Sequence, residues 1–276
     1  MLTELTSSPL VSFKSISDNA TRLNNIQSLD AFTSDLVGES LPQWSHISPD
    51  MLNDGHNTTL SFAASWTKDF LEPLLRNEYF MNNTLVLLTY DENETYDEPN
   101  HITSLLLGGA IPEEARGMTD DTFYTHYSII STLENNWDLP NLGRYDVGAN
   151  VFQVVANHTG YQNRDFNLSG LLLNQSYPGF LNSDSKKNLT LPPPNLKLTG
   201  AGSQAILPSI KSIWAADAEM GTPYSGSGQP YDGWKTLPVY SMSSKPSKST
   251  GPMLRRRSGA LPVMMMLLMS YAMMSL

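Results

Sequence analysis

The chain contains no cysteine. That absence removes disulfides, zinc–thiolate centres and thiol nucleophiles from consideration. Positive charge is scarce: 17 Lys and Arg stand against 27 Asp and Glu, giving a net charge of −10 and a pI near 4.9. Nucleic acid and anionic membranes both recruit basic surface, so neither is expected as the main partner. The sequence lacks a glycine-rich phosphate loop, a Gly-x-Ser-x-Gly nucleophile elbow and any internal repeat. The paired glycines of "LLLGGAIP" (105–112) do not have dinucleotide-binding spacing. The opening residues, "MLTELTSSPLVSF", have neither a basic n-region nor an apolar h-region and do not read as a signal peptide.

What is present starts with a core. The 276 residues are 40% hydrophobic, enough for one large α/β domain or two small ones. Asn-x-Ser/Thr sequons occur at Asn19, Asn57, Asn82, Asn93, Asn157, Asn167, Asn174 and Asn188. Chance supplies only one or two, so eight point to a glycoprotein of the secretory route. The end, "SKSTGPMLRRRSGALPVMMMLLMSYAMMSL", is a basic spacer followed by a mostly apolar run of 16 residues. A spanning helix needs about 20. Small residues, a spacer and a short apolar tail instead fit a GPI-attachment signal, with Ser249 or Thr250 as the attachment site and a short tail anchor as the alternative. The expected location is therefore secreted or at the cell surface, tethered to membrane or wall through the C-terminus.

Along the chain, helical patterns alternate with apolar strands. Residues 28–39 read as a helix capped by Ser28, with Leu29, Phe32, Leu36 and Val37 on one face. "LPQWSHISP" (41–49) reads as a short strand and "MLNDGHNTT" (51–59) as a polar loop. Residues 59–72 read as a helix with a stripe of Ala63, Trp66 and Phe70, kinked or ended by Pro73. Strands are expected over 84–90 and in "ITSLLLGGAIP", and helices in "YTHYSIISTLENNW", "VGANVFQVVAN" and "QAILPSIKSIW". The alternation predicts a mostly parallel sheet covered on both faces. The division expected is a domain over 1–221, a Gly/Pro/Ser-rich linker over 222–254, and the basic spacer and apolar tail over 255–276.

In open parallel sheets, active groups gather beyond the carboxyl ends of strands. Asp91 and Glu92 stand at such an end, after "TLVLLTY". A tight carboxylate pair there serves either a hard or borderline cation or acid–base chemistry; the bland reading is a solvated acidic loop, which suits Glu94, Asp97 and Glu98. His56 lies in the polar "NDGH" loop, where a packing role is not expected. His126 begins a helix and could be a capping group, His46 reads as a core residue within a strand, and His101 and His158 lie near loops or helix ends.

Four runs, "PQWSHISPDMLNDGHNTT", "YFMNNTLVLLTYDENETY", "LLLGGAIPEEARGMTDDTFYTHYS" and "NWDLPNLGRYDVGANVF", resemble the fungal secreted acid phosphatases. These belong to the phosphoesterase family, which also holds bacterial phospholipases C and a bacterial acid phosphatase. The resemblance covers roughly residues 10–180. It implies an alkaline-phosphatase-like three-layer α/β/α sandwich, incomplete at its N-terminus. It also implies that Asp91 and Glu92 ligate a divalent metal and that His56 contacts the phosphate or serves the leaving group. Asp54, in the same loop, is a further catalytic candidate, and His126 matches the family's "HYS" histidine. Two departures stand out. Val147 and Gly202 or Ser203 replace cysteines common in the fungal proteins, and the part that carries a signal peptide, an acidic–amide metal pair and the hydroxyl nucleophile is expected upstream of this chain. The function implied is hydrolysis of small phosphate monoesters. The rivals are a phospholipase C-like phosphodiesterase and a non-catalytic, surface-anchored glycoprotein. Phosphoryl transfer is mostly positioning and electrostatic stabilisation, which is why cation, histidine and nucleophile are needed together.

Overall fold

The computed structural model describes residues 9–93, 97–169, 173, 192–217, 221–228 and, for the backbone, 263–269. They fall into two units, Met1–Arg116 with Leu172–Asn174 and Leu261–Leu276, and Gly117–Leu171 with Gln175–Ala260.

The first unit opens with two single-turn helices, α1 (Lys14–Ser17) and α2 (Ala20–Leu23), the second capped by the Asn19 side chain accepting from the Arg22 N–H. Helix α3 spans Leu29–Val37. Ser28 takes the extended backbone of an N-cap, but its hydroxyl makes no capping bond. The face also differs from the sequence reading. Phe32 and Leu36 pack half-buried on the core, whereas Val37 is 81% exposed and Leu29 is exposed too, so the predicted stripe is covered only in part.

Strand β1 (Trp44–Ile47) follows, and of its residues only Ile47 is buried. His46, expected in the core, is exposed, because it falls on the opposite side of the pleat from Ile47. Helix α4 (Leu60–Leu74) starts where the Thr59 hydroxyl accepts from the Phe62 N–H at 3.2 Å. Its buried stripe is Ala63, Thr67, Leu71 and Leu74, spaced by four, four and three. Trp66 and Phe70, predicted in that stripe, flank it and stack on each other at 5.3 Å, and Phe70 also meets Phe32. The helix runs through Pro73 to Leu74; the ring is tolerated in the last turn because little helix remains to be disrupted.

Helix α5 (Glu78–Met81), capped by Asn77, leads into strand β2 (Thr84–Tyr90). Thr84, Leu85, Val86, Leu87 and Thr89 are all buried, as an interior strand requires. Strand β3 is only Leu105–Leu107 and pairs antiparallel to β2, not parallel. The glycines after it explain the turn. Gly108 has φ +105, and a Cβ on Gly109 would sit 1.5 Å from the Met81 carbonyl oxygen. The chain therefore folds back against the start of β2, where the Ala110 N–H bonds to the Thr84 carbonyl.

In the second unit, helix α6 (Tyr127–Trp137) buries a polar face of Ser128, Ser131, Thr132, Glu134 and Asn136 beside Ile129. Thr132 links two segments: its hydroxyl donates to the Ser128 carbonyl and accepts from the Phe152 N–H. Helix α7 (Gln153–Thr159) begins six residues later than "VGANVFQVVAN" suggests. Val147, Ala149, Val151 and Phe152 are instead buried in irregular backbone. Helix α8 is Pro208–Ile213, with Pro208 in its first turn. The stretch expected as linker starts with packed residues. Tyr224 is buried beside Tyr145, and Gly148, Gly226 and Gly228 approach too closely for a side chain.

Strand β4 (Val263–Met269) belongs to the first unit. It comes from the apolar tail and lies parallel to both β1 and β2, giving the sheet order β1-β4-β2-β3. The sheet is mixed: three parallel strands and one antiparallel edge.

Candidate active site

The register places two loops side by side. Ile47 of β1 and Leu88 of β2 both pair with Leu267, so β1 and β2 run level on either side of β4. Neighbouring strands lie about 4.8 Å apart, which separates β1 from β2 by roughly 10 Å. Because both are parallel to β4, the segments that follow them leave at the same, carboxyl, end of the sheet. After β1 comes the loop with Asp54 and His56; after β2 come Asp91 and Glu92.

The first loop is held by its own acids. Asp50 accepts the Leu52 and Asn53 N–H groups at 3.0 and 2.9 Å. Asp54 is 3% exposed and accepts the His56 N–H at 2.8 Å, across Gly55 at φ +94. The Thr58 hydroxyl closes the turn on the Leu52 carbonyl. Asp54 thus fixes the backbone that presents His56, which makes it a positioning residue in this geometry. The His56 ring is half-buried.

The second loop is also pinned. Asn100 donates to the Asp91 carbonyl at 3.1 Å and accepts from the Asn93 N–H, while the Asn93 amide reaches the Pro99 carbonyl. The Tyr90 hydroxyl accepts from the Thr103 N–H, and the Thr89 and Ser104 hydroxyls meet at 2.7 Å. Asp91 is exposed and Glu92 half-buried, next to each other in sequence at the strand's end. Asp97 and Glu98 are exposed, as expected of a solvated acidic loop, and Glu94 lies outside the described residues.

His126 is in the second unit. It occupies the N-cap position of α6 with helical backbone and makes no side-chain capping bond. His101 is exposed in the 97–104 segment, and His158 is exposed in the last turn of α7.

Hard cations take six or more oxygen ligands. Asp91 and Glu92 have the right chemistry, but among the described residues no three His, Asp or Glu side chains gather into a cation site. Two carboxylates do not complete such a shell alone.

The sequence reading missed one pair. Glu134 on α6 is 2% exposed, and neither carboxyl oxygen meets a donor. Its pKa is pushed up to about 9, by burial first and then by the charge and hydrogen bond of Asp146. Asp146, also buried, accepts the Leu142 and Arg144 N–H groups at 2.7 and 2.8 Å. Nothing in the sequence marked it, because a polar helix face reads as a solvent face.

Residues 8–140 match the Phosphoesterase family. The chain is 50% identical over 206 residues to a Kluyveromyces lactis protein named "Probable acid phosphatase", covering 75% of this chain and 48% of that one. It is 46% identical over 226 residues to the Aspergillus fumigatus acid phosphatase (81% and 50% covered). It is also 51% identical over 177 residues to the phosphate-repressible acid phosphatase of Penicillium chrysogenum (64% and 43% covered). The chain thus spans about half the length of these curated relatives. No solved structure matches it significantly. The family match over residues 8–140 takes in both strand-end loops.

Proposed function

We propose that the chain forms part of the active centre of a secreted, acid phosphatase-type hydrolase of small phosphate monoesters. One observation carries this reading: the His56 loop and the Asp91–Glu92 loop leave the same end of parallel strands β1 and β2, separated by a single strand. His56 at that edge serves as the proton donor to the leaving alkoxide. Asp54 holds the backbone that aims it. Asp91 and Glu92 supply the carboxylates that a divalent cation would need in addition to further donors. The nucleophile belongs, on this reading, to sequence outside this chain. The sequons support the secretory route: Asn57, Asn82, Asn157 and Asn167 are exposed, and Asn19 and Asn93 half-buried.

The test is p-nitrophenyl phosphate hydrolysis, assayed between pH 3 and 7, by this chain as it stands and by the longer protein of which it is proposed to be part. The longer protein should turn over substrate and lose at least a hundredfold in kcat on His56→Asn, with its thermal unfolding unchanged. Unaltered kcat in that variant would remove His56 from the mechanism. The rival reading is a non-catalytic surface glycoprotein. It predicts no turnover by any form of the protein.

A further inference from the structure

The second unit contains a cleft of about 660 Å3 that plays no part in the proposed chemistry. This is within the size range of small-ligand sites. Its walls are fixed by one buried and one half-buried amide. Asn150 donates to the Phe123 and Arg164 carbonyls and accepts the Arg164 N–H, at 3.0, 3.0 and 2.9 Å. Asn163 clasps both the N–H and the carbonyl of Val151, at 2.9 and 2.7 Å. Phe123 and Phe166 meet edge-on at 5.5 Å, and half-buried Tyr161 adds a third ring to the lining.

The charge in the cleft argues against an anionic ligand. Asp121 and Asp165 line it with Arg164, whose guanidinium is already committed to the Gly226 and Ser227 carbonyls at 3.0 Å each. Rings interleaved with amides suit a neutral, amphipathic molecule, and a pyranose has that character: an apolar C–H face and a polar hydroxyl edge.

A sugar source is built into the lining. Asn157 heads the sequon Asn157-His158-Thr159, is exposed, and is itself part of the cleft wall. The Gln153 amide donates to Asn157 Oδ1 at 2.6 Å, which fixes the amide plane and leaves Nδ2 as the atom to be substituted.

We propose that Asn157 carries an N-linked oligosaccharide whose first sugars lie in this cleft against Phe123, Tyr161 and Phe166. The inference rests on the secretory reading above. In the attachment step Asn157 Nδ2 forms a bond to the anomeric carbon of a lipid-diphosphate-linked oligosaccharide. The anomeric C–O bond to the diphosphate breaks, and the amide proton leaves with the lipid diphosphate.

The experiment uses the full chain secreted from an N-glycosylating host. Glycopeptide mass spectrometry reads occupancy at each sequon. Native digestion with an endoglycosidase that cuts between the first two sugars reads their protection. Asn157 should be occupied and should release its glycan at least tenfold more slowly than Asn57, itself an exposed residue. Unfolding, or the variant Tyr161→Ser, should remove that difference without changing release at Asn57. An unmodified Asn157 beside other occupied sequons overturns the inference, as does equal release from Asn157 and Asn57 in the folded protein. If no sequon is occupied, the secretory reading falls with it.

Discussion

The buried pair Glu134–Asp146 makes a quantitative prediction about pH. Asp146 accepts two backbone N–H groups. Burial first, and then the neighbouring Asp146, disfavours a charge on Glu134, so Glu134 keeps its proton. Tyr161 is pushed up by burial first, against the pull of Arg164, with Glu134 adding to the rise. Folded Glu134 therefore retains its proton up to about pH 9, while the unfolded chain releases it above about 4.5. Between those values the unfolded state binds fewer protons, so stability falls as pH rises, by about 1.4 kcal/mol per pH unit. From pH 5 to pH 8 the loss is about 4 kcal/mol, a large share of the 5–15 kcal/mol typical of a domain. For a unit of about 140 residues this lowers Tm by on the order of 10 °C. Hydrogen exchange over residues 131–146, with urea unfolding at pH 5, 6.5 and 8, reads the change in the second unit alone. Glu134→Gln, of nearly the same shape but without the titration, should flatten the dependence. A wild-type protein equally stable at pH 5 and pH 8, or a variant that keeps the full slope, would refute this account of Glu134.

Other expectations follow from contacts in the first unit. Gly109→Ala should prevent the turn after β3 from closing and cost several kcal/mol, because the new Cβ would overlap the Met81 carbonyl; circular dichroism melting checks it. Asp54→Ala should lower kcat/KM of the longer protein at least tenfold by releasing the His56 backbone, with the larger part in kcat, and a change in KM alone would deny Asp54 its positioning role. Removal of 255–276 should aggregate the chain, since β1 and β2 share β4 as their parallel neighbour; a monodisperse truncated protein in size-exclusion chromatography would show that β4 is dispensable, as processing of a GPI signal requires.

How far the sequence could be read depended on whether a feature was local. Thr59 and Pro73 bracket α4, and the uninterrupted apolar run 84–90 marks an interior strand, because caps and burial on both faces leave their marks within a few residues. The direction of β3 was not legible in that way. Leu105, Leu106 and Leu107 look the same whether they run with or against β2, and only the contact of Gly109 with Met81, from a different element, settles it. Helix α6 was placed correctly by its pattern, yet its buried face could not be assigned, since Ser131, Thr132 and Glu134 look like a solvent face until Phe152 and Asp146 are seen to use them.

The candidate site shows the same division. Each half was visible as an acidic or histidine-bearing loop after a strand, but the link between them is the tail strand β4, more than 170 residues beyond Tyr90. An apolar run at a chain end satisfies the composition of a cleavable signal and of an interior parallel strand equally, because both demand only a short hydrophobic segment without charge. What distinguishes the two uses is a vacancy of suitable length between two other parallel strands. That vacancy exists between Trp44–Ile47 and Thr84–Tyr90, and its filling by Val263–Met269 sets the spacing of the His56 and Asp91 loops. In this arrangement the tail and the proposed chemistry are coupled: a form of the protein that loses the tail needs another strand in the same slot to keep the two loops in register.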